Sequence, residues 1–329
     1  MTRLSTLLLA GASALALAGP GAGTAAAQDA PTVAVVVKDT TSPFWQTVMA
    51  GACEAGEALG ATVNVTGPTS EADIAGQIGV LENAVSTGAD AVVLAPTNFE
   101  GLGAAVTEAA ASVPVFLIDS KANSDAYTAL LATDNIAGGR LAAEAMVQAL
   151  TAKNGGPTGT VAVVSFGPGV STLDERIQGF TEGMAELAPE VEIVTTRVGD
   201  FQTTTALNDT NDVLTAFPDV DGIFADALFS GLGAAQAIGE QGRAGDPALV
   251  SFDSSDVLEQ AVRDGVAYAL IVQNPYRMGY GGVENAVKAV GGETIPEFLD
   301  TGVAMITGEN VDSAESQALL RPDLSCLQG

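Results

Sequence analysis

From Thr32 onward, short runs of β-branched and other apolar residues alternate with longer Ala-rich stretches of helical periodicity. The runs Val33–Val37, Thr62–Val65, Ala91–Leu94, Val115–Ile118 and Ala129–Ala132 predict strands, with helices at Phe44–Leu59, Ala72–Val85 and Gly101–Ala111 between them. The rhythm restarts after helix Ile136–Leu150 and a polar Gly-rich loop at Lys153–Gly159. Strands at Val161–Val164, Val191–Thr195, Gly222–Phe224, Ala248–Phe252 and Tyr268–Val272 then alternate with helices at Leu173–Leu187, Thr205–Phe217, Leu232–Gln241 and Val257–Asp264. A last helix, Met278–Val290, precedes a tail from Ile295 with one more strand. The strands are near-continuous apolar runs, as parallel sheets covered by helices on both faces require. Too many strands are present for one ordinary sheet, so the pattern predicts an α/β protein of two doubly wound parallel-sheet lobes with a seam near Thr133 and Asp134.

The segment before Thr32 reads differently. Arg3 precedes an uncharged Leu- and Ala-rich run, Leu4 to Ala18, followed by Gly-Pro-Gly and Ala25–Ala27. That order is a signal peptide's, with cleavage expected after Ala27, and the run is shorter than the roughly 20 residues that span a bilayer. No cysteine stands near the cleavage point, so no acyl anchor is expected, and the mature chain belongs in the periplasm.

Charge and residue counts then remove whole classes of chemistry. Twelve basic against 40 acidic residues give a net charge of −28, which repels nucleic-acid backbones and anionic lipid. The chain has no histidine, which excludes His-containing triads and His metal ligands, and its two cysteines are too few for structural zinc. Asn208–Asp212 resembles a calcium loop only superficially, lacking the glycine and closing glutamate at the required spacing. No glycine lies between Lys38 and Phe44, so the first strand has no dinucleotide-binding turn. No catalytic residue, metal or cofactor is expected. In an oxidising compartment Cys53 and Cys326 read as one disulfide or as two separate thiols.

Ligands of open α/β sheets sit beyond the carboxyl ends of strands. The residues just past the apolar runs are Lys38, Asp119, Asp134, Ser165, Asp226, Asp253 and Gln273, a set that describes a polar cleft between two domains. Asp134 reads equally as a helix cap. In the first such loop Ser42 is an expected N-cap, Pro43 opens a helix, and Phe44 and Trp45 offer aromatic faces. Gly167-Pro168-Gly169 makes a tight bend at the matching place in the second half.

These residues resemble the type I periplasmic sugar-binding proteins, close to the ribose binders. The markers are Ser42–Trp45, Asp119, Thr133-Asp134-Asn135 with Gly138-Gly139, Arg176–Phe180, Phe217–Val220, Gly231–Ala235, Val250–Asp253 and Val272–Pro275. The resemblance implies lobes at 28–133 plus 274–306 and at 134–273 plus 307–329, with a hinge closing over a sugar or polyol. It implies a monomer delivering its ligand to the membrane permease of an ABC transporter, or else a receptor of the same fold feeding chemotaxis or a sensor kinase. It also implies ligand contacts at Ser42, Phe44, Trp45, Asp119, Phe201, Asp253 and Gln273. Four positions depart from the ribose binders: Lys38 stands for a small hydroxyl residue, Ser120 and Asp174 for arginines, and Ala227 for an asparagine. Arg176 and Asp226 are the candidates to supply what Asp174 and Ala227 lack, and a ligand other than ribose is expected.

Overall fold

The computed structural model describes residues 1, 2 and 30–328; the signal-peptide reading falls on residues that, after the first two, lie outside it. The chain starts with β1 (Thr32–Val36), α1 (Pro43–Leu59), β2 (Thr62–Thr66), α2 (Ile74–Ser86), β3 (Ala91–Leu94), α3 (Phe99–Ala110), β4 (Val115–Ile118) and β5 (Ala129–Ala132). It crosses at Thr133 into α4 (Asn135–Asn154), β6 (Gly159–Ser165), α5 (Ser171–Leu187), β7 (Val191–Val198), α6 (Thr203–Ala216), β8 (Gly222–Ala225), α7 (Leu228–Glu240), β9 (Ala248–Phe252), α8 (Asp256–Arg263) and β10 (Ala267–Gln273). It returns through α9 (Pro275–Val290) and β11 (Phe298–Asp300), then crosses again to β12 (Val303–Thr307) and α10 (Ala314–Leu320).

Two six-stranded sheets result, ordered β2-β1-β3-β4-β5-β11 and β7-β6-β8-β9-β10-β12. All neighbours are parallel except β12, which runs antiparallel to β10. Central strands are buried over most of their length; β3 and β4 are wholly apolar, and β1 and β9 each carry a single hydroxyl residue among apolar ones. Each lobe therefore has an apolar layer on both sheet faces, at roughly 1.5–3 kcal/mol for each large side chain buried.

The two lobes repeat one another. Strand orders match element by element, and the crossing helices pair equivalently, α9 against α1 and α4 against α5. Both pairs rely on glycine for close approach: a Cβ at Gly279 would strike the Val48 carbonyl of α1, and one at Gly139 the Arg176 carbonyl of α5. Gly279 and Gly139 are each the fifth residue of their helix, so the repeat holds to the residue.

The tail departs from expectation. It holds two strands rather than one, and they join different sheets. Because Val303–Thr307 pairs with β10, the third crossing lies at Thr301–Gly302, not at the expected boundary of 306. There Thr133 Oγ1 donates to the Gly302 carbonyl (3.2 Å), and the Asp300 carboxylate accepts from the amides of Asp134 and Gly302, so the crossings brace one another. Nor does the tail remain with the second lobe. Leu320 packs into that lobe's core and Arg321 pairs with Asp256 and Glu259 of α8, but a short 3-10 helix at Ser325–Gln328 lies against α1. Cys53 and Cys326 are bonded there, with Cα atoms 6.1 Å apart, which makes a fourth connection between the lobes.

Candidate functional site

The carboxyl ends of both sheets meet in a cleft lined by Lys38, Ser42, Phe44, Trp45, Glu71 and Asp119 of the first lobe. Phe166, Val170, Thr172, Leu173, Arg176, Ala227, Leu228, Phe229, Asp253 and Gln273 complete it from the second.

In the first lobe Ser42 caps α1, its Oγ accepting from the Trp45 amide (3.4 Å), and Pro43 fits the first turn, where no amide partner is needed. This start turns Phe44 and Trp45 to the sheet end in an edge-to-face pair with centroids 4.9 Å apart. Trp45 belongs both to the lobe core and to the cleft wall, and its indole N–H donates to Glu71 Oε1 (2.8 Å). Lys38, just past β1, is only 2% exposed; its Nζ lies 2.7 Å from Asp119 Oδ2 and donates to Ser120 Oγ at 2.5 Å. An ammonium has three donors, so one remains for a ligand. Burial opposes the charge on Asp119, but Lys38 beside it, helped by Arg176 and the Ser120 hydroxyl, holds its carboxyl below the ordinary range. Burial raises Glu71, with Lys38 and the Trp45 bond offsetting only part.

In the second lobe Asp253 follows β9 as Asp119 follows β4. Gln273 Nε2 donates to Asp253 Oδ1 (2.8 Å) and the Leu228 amide to Oδ2 (3.3 Å). The Arg176 guanidinium lies over the Phe252 ring at 4.1 Å and donates to Asn135 Oδ1 (2.9 Å) and the Asp226 carbonyl (2.8 Å), leaving Asp253 at 3.9 Å. Burial therefore prevails over Arg176 and Gln273, and the Asp253 carboxyl is raised. Gln273 Oε1 is buried without a partner. Such an acceptor costs roughly 1–3 kcal/mol until a donor reaches it.

Backbone geometry marks the same places. Asp119 (φ 62°), Asp253 (φ 64°) and Phe201 (φ 65°) are the non-glycine residues with positive φ among those described. Aspartate tolerates this region; for phenylalanine it costs on the order of 1–3 kcal/mol.

A profile of the periplasmic binding protein domain matches residues 33–294. The chain belongs to the type I periplasmic sugar-binding family. The ribose import binding protein of Salmonella typhimurium is 31% identical over 296 residues, covering 90% of this chain and 95% of that one. A carbohydrate transporter solute-binding protein from Agrobacterium radiobacter, solved in complex with D-arabinose, superposes with a TM-score of 0.87 at 39% identity, covering 89% of this chain and 99% of that one. An ABC transporter solute-binding protein from Agrobacterium vitis with bound D-fucose gives 0.82 and 38%, covering 88% and 99%. These relatives are binding and transport proteins rather than enzymes, and their two-lobed α/β fold is the one seen here.

Within this family member, eight of the eleven sequence-derived candidates line the cleft: Lys38, Ser42, Phe44, Trp45, Asp119, Arg176, Asp253 and Gln273. Three do not. Asp174 is exposed on α5, where the helical turn that brings Arg176 inward carries it outward. Asp226 is fully buried behind the wall, accepting from the Phe166 amide (3.0 Å) and the Ser230 hydroxyl (3.2 Å). Desolvation there raises its carboxyl to about 6, although hydrogen bonds and Arg176 act the other way. Phe201 backs Phe166 edge-on at 5.5 Å and opens on a neighbouring groove. Conversely Glu71, Phe166 and Phe229 line the cleft without having been singled out. Phe166 directly follows Ser165 in the strand-end list; Glu71 lies in a loop that carries no signal of its own. Cys53, Glu57 and Cys326 cluster at metal-ligand distances, but the disulfide removes both thiolates from metal binding.

Proposed function

We propose that this chain is an extracytoplasmic receptor that captures a neutral sugar or polyol between its lobes and delivers it to an ABC transporter permease. The observation that carries the reading is the cleft's excess of buried and half-buried acceptors. Glu71, Asp119, Asp253 and the unpartnered Gln273 Oε1 face a space whose two cations, Lys38 and Arg176, are largely engaged by protein oxygens. Three carboxylates against two cations repel an anionic ligand. Vicinal hydroxyls give each acceptor a donor, while Phe44 and Trp45 take an apolar ring face. Asp226 acts from behind, through the Phe166 backbone. Closure about the three chain crossings and the disulfide-fixed tail excludes water. The ribose import binding relative and the solute-binding proteins solved with D-arabinose and D-fucose support the ligand class.

Thermal unfolding with a panel of neutral sugars, polyols, sugar acids and sugar phosphates tests this. A neutral member raises the melting temperature, as binding to the native state must, and acids and phosphates do not. A shift confined to anionic ligands, or none at all, overturns the reading.

A further inference from the structure

Lys38 stands two residues beyond Val36, which pairs with β3; Phe166 stands two beyond Val164, which pairs with β8. They are equivalent positions, yet one presents an ammonium and the other a phenyl ring. Around Phe166 the contrast spreads into a wall. Phe166, Val170, Leu173 and Ala227 form a small apolar cluster separate from both cores of the second lobe, with Phe229 and Phe201 packed against it. Phe229 lies 5.1 Å from Phe166, centroid to centroid. Every member except Phe201 lines the cleft, together with Leu228. The wall is built rather than incidental. Phe201 adopts its left-handed backbone to lie against Phe166, its amide bonded to the Phe166 carbonyl (2.9 Å), and Gly167 is close enough beneath the Phe201 ring that a Cβ would collide with it.

Acceptors border this wall at its edges, Asp253 beside the Leu228 amide (3.3 Å) and Glu71 along the groove it shares with Phe166 and Phe229, but the faces of Phe166, Val170, Leu173, Ala227 and Phe229 carry no hydrogen-bonding group of their own. A hexose hydroxymethyl directed at the apolar cluster buries a hydroxyl that none of these side chains can satisfy, whereas a methyl is buried at no such cost. We propose that the second-lobe wall is an apolar subsite and that the preferred ligand is a 6-deoxyhexose, bound with its methyl against Phe166 and Phe229. This rests on the sugar reading above.

Calorimetric titration of the mature protein with matched sugars tests it: D-galactose, D-fucose and L-arabinose, which differ only in carrying hydroxymethyl, methyl or hydrogen, and the mirror series L-galactose, L-fucose and D-arabinose. The methyl member of the series that binds should exceed its hydroxymethyl counterpart by at least about tenfold and exceed the pentose as well. Phe229→Ala, at a half-buried position, should bring that ratio below about threefold, with folding checked by an unchanged circular dichroism spectrum. Should that variant misfold, the wild-type ratios decide alone. A hexose or pentose that binds as tightly as its methyl counterpart overturns the proposal and leaves the sugar reading intact, as does binding confined to neutral sugars that carry no 6-methyl group. Absence of binding by any neutral sugar overturns both.

Discussion

Asp119 and Asp253 occupy the same place in the two lobes, one residue past the fourth strand of each sheet, and both have a left-handed backbone. Their amides even make the same bond, to the carbonyls of Leu131 and Ile271 on the next strand. Their carboxyls nevertheless move in opposite directions. Lys38 is in contact with Asp119 and overcomes the cost of burial, whereas Arg176 keeps 3.9 Å from Asp253 because Asn135 and the Asp226 carbonyl hold it, and there burial wins. One fold repeated twice thus gives an aspartate whose charge a neighbouring ammonium favours and another whose charge burial opposes. The backbone sets where an acceptor stands; the nearest cation sets how strongly the protein already satisfies it.

Breaking the tighter pair should have the largest effect. Lys38→Met leaves Asp119 buried without its ammonium, and urea unfolding should show a loss of about 3–5 kcal/mol, most of it recovered in the double variant with Asp119→Leu. A loss below about 1 kcal/mol would show that the pair is effectively solvated. Uncoupling the lobes comes next: replacing Cys53 and Cys326 by serine frees the tail and should lower stability by about 2–4 kcal/mol in the same assay, and an unchanged midpoint would mean that the tail contributes nothing.

Asp226 isolates the second lobe's burial term. Its folded-state value of about 6 lies above the ordinary 3.8, so the folded protein holds that proton more tightly than the unfolded chain does. Its contribution is most favourable below pH 3.8 and declines as pH rises through about 6, by up to about 3 kcal/mol. Asp226→Asn does not titrate and keeps an oxygen for the Phe166 amide. The difference in melting temperature, variant minus wild type, should therefore grow in the variant's favour between about pH 4 and pH 7 and then level off; a pH-independent difference would show that Asp226 is not the group that titrates.

The last effect sharpens the comparison at the ligand. Asp253→Asn should weaken sugar binding by about 1.5–3 kcal/mol at neutral pH, read by calorimetry. Because Asp253 and Glu71 are both raised while Asp119 is lowered, acidification of the wild type should protonate those two first and weaken binding. Asp253→Asn should flatten that slope. An affinity within about twofold of wild type, roughly 0.4 kcal/mol, would make Asp253 structural only.

Much of this was legible beforehand. Strand runs and helical periods place nearly every element, because each is fixed by its own apolar pattern, and the rule that ligands sit at strand ends finds Lys38, Asp119, Asp253 and Gln273. Asp226 obeys the same rule yet faces inward: leaving a strand end does not decide on which side of the wall a carboxylate lies. Asp174 and Arg176 are two residues apart on one helix, and only the packing of α4 against α5 decides which of them points into the cleft. Glu71 belongs to a loop placed by the Trp45 indole, a long-range bond that leaves no local pattern.

The sequence by itself determined the alternation of strands and helices, the two lobes, the exclusion of histidine and nucleic-acid chemistry, and most of the polar cleft. These depend on residue type and spacing along the chain. The tertiary structure decided what depends on neighbours distant in sequence: β12 leaving the first lobe for the second, Cys326 returning to Cys53, Phe166 and Phe229 joining in one wall, and the opposite pKa shifts of two equivalent aspartates. The physical reason is the same in each case. Periodicity records which face of an element is buried, whereas burial against a particular partner, and the electrostatics that follow from it, exists only once the elements have met.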